Sequence, residues 1–224
     1  MTASDTFDSE LGACRKCESI LACNLVDPTI SEESVKPLPI SLGITQRPIL
    51  LIGQAPGIKE YETGKPFQGQ AGQKIRDIFR SIGIGDFDRT VYSSAVAKCY
   101  PGRKLRKAGK PQSGCEDCVP STQMVKNCRP FLERELALVD PKVVVTLGSF
   151  PLKAYLGMAG LTESKPTLER FVGTSHNWYG RSVIFFPHTS SGSRWLNDRE
   201  NKVLFTNAEA LLRQTLVGHG IIGA

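Results

Sequence analysis

Apolar positions along the chain follow two periods. Four short runs are continuously or nearly continuously apolar: Ile49–Gly53, Val91–Ala97, Lys142–Leu147 and Val183–Pro187. Runs of this length, with β-branched residues such as Val143, Val144 and Val145, predict buried strands. Elsewhere the spacing is helical. Ile75, Ile78, Phe79 and Ile82 stand at i, i+3, i+4 and i+7, and Met124, Val125, Cys128, Phe131 and Leu132 share one face behind a start at Pro120–Ser121. Ser149 predicts a cap for a short helix ending at Gly157, and Asn201–Leu216 a closing amphipathic helix. Strands alternating with helices predict an α/β fold, a mainly parallel four-stranded sheet with helices on both faces. No internal repeat is present.

The stretches without periodicity frame these elements. Residues 1–47 read as an irregular lead-in, with a polar, flexible segment over 1–10, and residues 54–71 as a loop carrying Gly57, Gly64 and Gly69. Residues 98–120 are crowded with Lys, Arg, Gly and Pro and read as a long basic surface loop, a length usually reserved for function. At 224 residues, 40% hydrophobic and 22% charged, the chain is expected to form a single globular domain. It lacks a run of about 18 apolar residues and a signal-peptide core at its start, so no membrane and a cytoplasmic location are expected. The net charge of +6 fits an anionic partner or simply a solvated surface.

Seven cysteines change the picture more than the charge does. The cytoplasm keeps thiols reduced, so metal or cluster ligation explains them better than disulfides. Cys14 and Cys17 form a C-x-x-C turn, Cys99 ends the second strand and Cys128 lies on the helix after the basic loop. A second pair, Cys115-x-x-Cys118, lies inside that loop and with Cys14 and Cys17 would make a plausible zinc site; a redox pair is the other reading.

Two of the strands run out into tight polar loops, where open parallel sheets bind ligands. The first reads Gly53-Gln54-Ala55-Pro56-Gly57 and the second His188-Thr189-Ser190-Ser191-Gly192-Ser193-Arg194. The pair resembles the two active-site motifs of the uracil-DNA glycosylase superfamily, G-Q/E-A-P-G and H-P/T-S-x-x-S. Val96-Ala97-Lys98-Cys99 and Cys128-Arg129-Pro130-Phe131-Leu132 are similar to the cysteine motifs of its family-4, iron–sulfur branch. The resemblance implies a three-layer αβα fold and a monomeric repair enzyme that removes uracil or another deaminated base from DNA. It also implies a 4Fe–4S cluster held by Cys14, Cys17, Cys99 and Cys128.

The same resemblance assigns the site. Phe67, in Gly64-Lys65-Pro66-Phe67-Gln68-Gly69-Gln70-Ala71-Gly72, stacks on the flipped base, and His188 donates to uracil O2. Gly53, Ala55, Ala95 and Ser190 line the base pocket, with Gln54 contributing a catalytic contact. Ala55 stands where family-1 members carry the water-activating Asp, leaving Glu60 as the nearest acid to place a water. Ala95 replaces a family-4 Asn that reads uracil. Thr189, in place of the usual Pro, is expected to loosen the second loop. Arg103, Lys104, Arg106 and Lys107 are the expected phosphate contacts, and Ser193 and Arg194 fall where a wedge enters the duplex.

Overall fold

The computed structural model describes residues 2–105, 115–161, 163, 165–189 and 194–223. Helices α1 (Ala3–Gly12) and α2 (Glu18–Leu21) open the chain, and β1 (Ile49–Gly53) leads through α3 (Ile58–Thr63), α4 (Gln70–Ser81) and α5 (Phe87–Thr90) to β2 (Val91–Ala95). A small hairpin, β3 (Arg103–Leu105) and β4 (Cys115–Asp117), precedes α6 (Thr122–Val139), β5 (Val143–Leu147), α7 (Ser149–Met158) and α8 (Leu168–Phe171). Strands β6 (Ser175–Trp178) and β7 (Arg181–Phe186) and helix α9 (Arg199–Gly218) complete the order.

The main sheet runs β2-β1-β5-β7-β6. Its first four members are parallel, as the alternating pattern predicts, and β6 lies antiparallel at the edge. This fifth strand corrects the expected count of four. Its sequence, Ser175-His176-Asn177-Trp178, is too polar to read as a strand, because only one of its faces is partly covered. Tyr179 and Gly180, both with positive φ (50° and 81°), make the tight turn into β7.

Alternation along each parallel strand divides the core into two. Leu50, Ile52, Val144, Val183 and Phe185 pack on α6 and α7 through Leu132, Leu136, Leu152 and Tyr155. Ile49, Leu51, Val143, Val145, Ile184 and Phe186 pack on α4 and α9 through Ile75, Phe79, Ala208 and Leu212. Both faces of the sheet are thus covered, which is why its strands read as continuous apolar runs.

Four local expectations are corrected. Residues 1–10 are not a loose tail. Thr2 and Asp5 form a capping box for α1, and Phe7 and Leu11, one turn apart, are buried, with Phe7 set edge-on to Phe131 of α6 at 5.9 Å. The 54–71 loop contains α3. The 98–120 segment is not uniformly loop, since its described parts form the β3–β4 hairpin. At α7 the cap is Gly148, and Ser149 is already helical. Among the described residues, no helix is long and apolar enough to cross a membrane.

Candidate active site

The carboxyl ends of the parallel strands open into a cleft of about 680 Å³. Gly53 and Ala95 face each other in register at the ends of β1 and β2. Pairing continues past the strands, with Val96 N–H donating to Gly53 O at 2.9 Å and Ala97 N–H to Gln54 O at 3.1 Å. These bonds hold the loop that begins with Gln54 and Ala55 against the end of β2. Gly53, Gln54, Ala55, Glu60, Phe67, Ala95 and His188, which the sequence places far apart, all line this one cleft.

Phe67 forms one wall. Its φ of 54° is rare for a bulky residue and costs on the order of 1–3 kcal/mol, a strain typical of functional positions. The backbone makes room for it. A Cβ on Gly72 would lie 2.1 Å from Phe67 O, and one on Gly53 would lie 3.0 Å from the ring Cζ. The ring therefore leans over the end of β1, where a planar base can stack on its free area.

His188 follows β7. Burial holds its imidazole below the usual histidine range, so it is neutral at neutral pH and carries one N–H donor. Thr189, expected to loosen the loop, is itself anchored. It is buried, and its hydroxyl donates to Ala71 O at 2.9 Å, joining the second motif to the start of α4. The partner of Thr189 lies 118 residues away in the chain, so the local motif carries no sign of it.

Glu60 is neither a solvated charge nor an open base. Its carboxylate is buried and accepts from the backbone N–H groups of Gly57 (2.9 Å), Gln68 (2.7 Å) and Gly69 (2.8 Å). These bonds make it a clamp that closes the loop between the first motif and Phe67.

The basic segment is also less free than its composition implies. Lys98 is buried and pairs with Glu135 of α6 and Ser94 Oγ, so it is no phosphate contact. Arg103, expected to grip a phosphate, lies between two carboxylates, Asp27 at 2.7 Å and Asp117 at 2.9 Å. Bonds from the Thr29 hydroxyl and backbone N–H, followed by that from Arg103, hold the Asp27 carboxyl well below the usual range. Lys104 makes a looser, exposed pair with Glu116 at 3.4 Å and can swing away. Arg194 is exposed beside the second loop. Trp195 packs on the core and donates to Glu169. Arg106, Lys107, Ser190 and Ser193 lie outside the described residues.

The cysteines divide into two groups. Burial, and then the electrostatic influence of Cys128, Cys17 and Cys14, pushes the Cys99 thiol far above its usual range, which places the four cysteines within electrostatic reach of one another. Lys98 N–H points at Cys128 Sγ (3.4 Å) and the Asn127 amide at Cys17 Sγ (3.3 Å). Cys115 and Cys118 line the cleft instead. They stand three residues apart on extended chain, roughly 10 Å, too far for a disulfide between them. A zinc site joining both C-x-x-C pairs is therefore not assembled. Among the described residues, no three His, Cys, Asp or Glu side chains are grouped as for a single metal ion.

Comparison with known proteins agrees with this geometry. The family model of the uracil DNA glycosylase superfamily matches residues 40–213. A type-4 uracil-DNA glycosylase of Sulfurisphaera tokodaii is 26% identical over 164 residues, covering 72% of this chain and 67% of the relative. Type-4 enzymes of Archaeoglobus fulgidus and Pyrobaculum aerophilum are 29% identical over 150 residues and 27% over 117. The matches cover 67% of this chain and 62% of the Archaeoglobus fulgidus protein, and 52% of both chains in the Pyrobaculum aerophilum case. The chain thus spans between about half and two thirds of the length of these relatives.

Proposed function

Because the chain belongs to the uracil-DNA glycosylase superfamily, we propose that it hydrolyses the N-glycosidic bond of uracil in DNA and leaves an abasic site. The observation that carries this reading is the meeting of Phe67, His188 and the Gln54–Ala55 loop around one cleft. Relatives named type-4 uracil-DNA glycosylases support it. A base must leave the duplex stack to enter such a cleft, where an aromatic face can replace its lost neighbours. As the bond breaks, negative charge grows on the leaving base. The neutral His188 N–H, aimed at O2, stabilises that charge without first losing a proton. Gln54 adds a polar contact from the first motif, and Ser190 of the second motif is a further proposed contact to the base.

Ala95 lies beside Gly53 at the end of the neighbouring strand, lines the cleft and presents only a methyl group. No side-chain amide at this position reads the edge of uracil, so the reading includes other deaminated bases such as hypoxanthine and xanthine. Lys104, Arg106, Lys107, Ser193 and Arg194 are the proposed contacts to the DNA strand, and the protein acts as a monomer in the cytoplasm. Cys14, Cys17, Cys99 and Cys128 suit a 4Fe–4S cluster: four thiols within electrostatic reach of one another, two with N–H donors aimed at sulfur, are the ordinary ligand set. Such a cluster would fasten the N-terminal segment to α6 and take no part in bond cleavage.

The test is single-turnover cleavage of single- and double-stranded DNA carrying uracil, hypoxanthine or xanthine. Uracil should be released, and His188→Ala should slow release by roughly 10²–10³-fold with little change in DNA binding. Binding without abasic sites from any of these bases would make the protein a reader of deaminated DNA instead of an enzyme.

A further inference from the structure

Hydrolysis needs a placed water as well as a leaving group, and most polar groups of the cleft are unsuited to that work. Ala55 offers a methyl group and Gln54 an amide. Glu60 is buried, with three backbone N–H groups donating to its carboxylate, and Glu116 sits in an exposed pair with Lys104. Among the described residues of the cleft, the remaining carboxylate is Asp117 of β4.

Its two oxygens are treated differently. Oδ1 accepts from Arg103 Nε at 2.9 Å and lies 3.5 Å from the Tyr100 hydroxyl. Oδ2 is turned to the first motif. A Cβ built on Gly57 would lie only 2.8 Å from it, so the missing side chain at Gly57 lets this oxygen reach the loop carrying Gln54 and Ala55. The side chain is 39% exposed, so water has access to it. Arg103 is itself braced by Asp27 at 2.7 Å, which fixes the guanidinium and through it the carboxylate. A carboxylate oriented through one oxygen, with the other facing a wet cleft, has the arrangement of a general base.

We propose that Asp117 is the general base of the reaction, orienting and deprotonating the attacking water through Oδ2. This assignment rests on the glycosylase reading above. The water oxygen forms a bond to C1′ of the deoxyribose while the bond from C1′ to the base nitrogen breaks. The electron pair of that bond leaves with the base, where His188 stabilises it at O2. The water proton passes to Oδ2 and is then released to solvent or to the departing base, leaving a hydroxyl on C1′. Arg103 is a positioning residue in this scheme.

The experiment uses the full-length protein and single-turnover release of uracil from single-stranded DNA. It compares wild type, Asp117→Asn, Asp117→Ala and Asp77→Asn, with thermal unfolding to check each fold. Both Asp117 variants should lose roughly 10²–10⁴-fold in rate with DNA affinity unchanged. Added formate should partly restore Asp117→Ala. Asp77→Asn should keep the wild-type rate, since Asp77 lies on the exposed face of α4, paired with Arg80, and does not line the cleft. A folded Asp117→Asn variant that cleaves as fast as wild type, or that loses rate only in step with lost DNA binding, overturns the assignment and leaves the glycosylase reading standing. A wild-type protein that releases no base overturns both.

Discussion

Ala95 shows how one side chain sets the demands on a pocket. An Asn there would accept from uracil N3–H and donate to O4, a pattern that a base with other edge groups fails to satisfy. With a methyl group opposite Gly53, discrimination falls to shape, to backbone groups and to water. Ala95→Asn should therefore raise the uracil-to-hypoxanthine ratio of single-turnover rates by about tenfold, equivalent to about 1.4 kcal/mol. A flat or falling ratio in a folded variant would remove Ala95 from base selection. Phe67 is the opposite case, a side chain held in strain by its surroundings. Its positive φ persists because Gly72 has no side chain to collide with its carbonyl.

At the scale of elements, α1 explains how distant cysteines come together. Phe7 and Leu11 bury one face of α1 against α6, and an ion pair from Arg134 of α6 to Glu10 adds to the contact. The chain leaving α1 carries Cys14 and Cys17 past α6, where the Asn127 amide donates to Lys16 O at 3.0 Å and reaches Cys17 Sγ. Cys128 is the next residue of that helix. The purified protein should carry about four iron atoms, with broad absorbance near about 400 nm. Cys99→Ala should abolish the iron, whereas Cys115→Ala, on the β3–β4 hairpin, should leave it intact. Iron lost equally from both variants, or zinc in its place, would reverse the ligand assignment.

For the molecule as a whole, net charge is a poor guide to the DNA-facing surface. Of the +6, Lys98 is cancelled inside the protein and Arg103 is balanced by two acids. Cations that meet phosphates release counterions, and each such contact adds about 0.7–0.9 to the slope of log affinity against log salt. Lys104→Ala, and likewise Arg106→Ala and Lys107→Ala, should each lower that slope by about this amount for damaged and undamaged DNA alike. Arg103→Gln should leave the slope unchanged. A drop with Arg103→Gln would mean that its carboxylate partners release it when DNA binds.

The sequence by itself determined the four parallel strands of the sheet, though not its antiparallel edge, and the identity of the motif loops. Continuous apolar runs need cover on both faces, a demand that parallel strands between helices meet and that is written locally in each run. The placement of Gly53 and His188 at one edge of the sheet followed from their positions at strand ends, while that of Phe67 beside them was implied by the family resemblance. Only the tertiary structure decided how the charges are used. Glu60, Lys98 and Arg103 look alike in sequence to free acids and bases, yet their partners lie 3 to 76 residues away. The acids of the basic segment, Glu116 and Asp117, attract no notice there until the hairpin turns one toward Gly57. Hydrophobic burial acts on each residue through its own neighbours along an element. A charge or hydrogen bond depends on which group stands opposite, and that is fixed only once the chain has closed on itself.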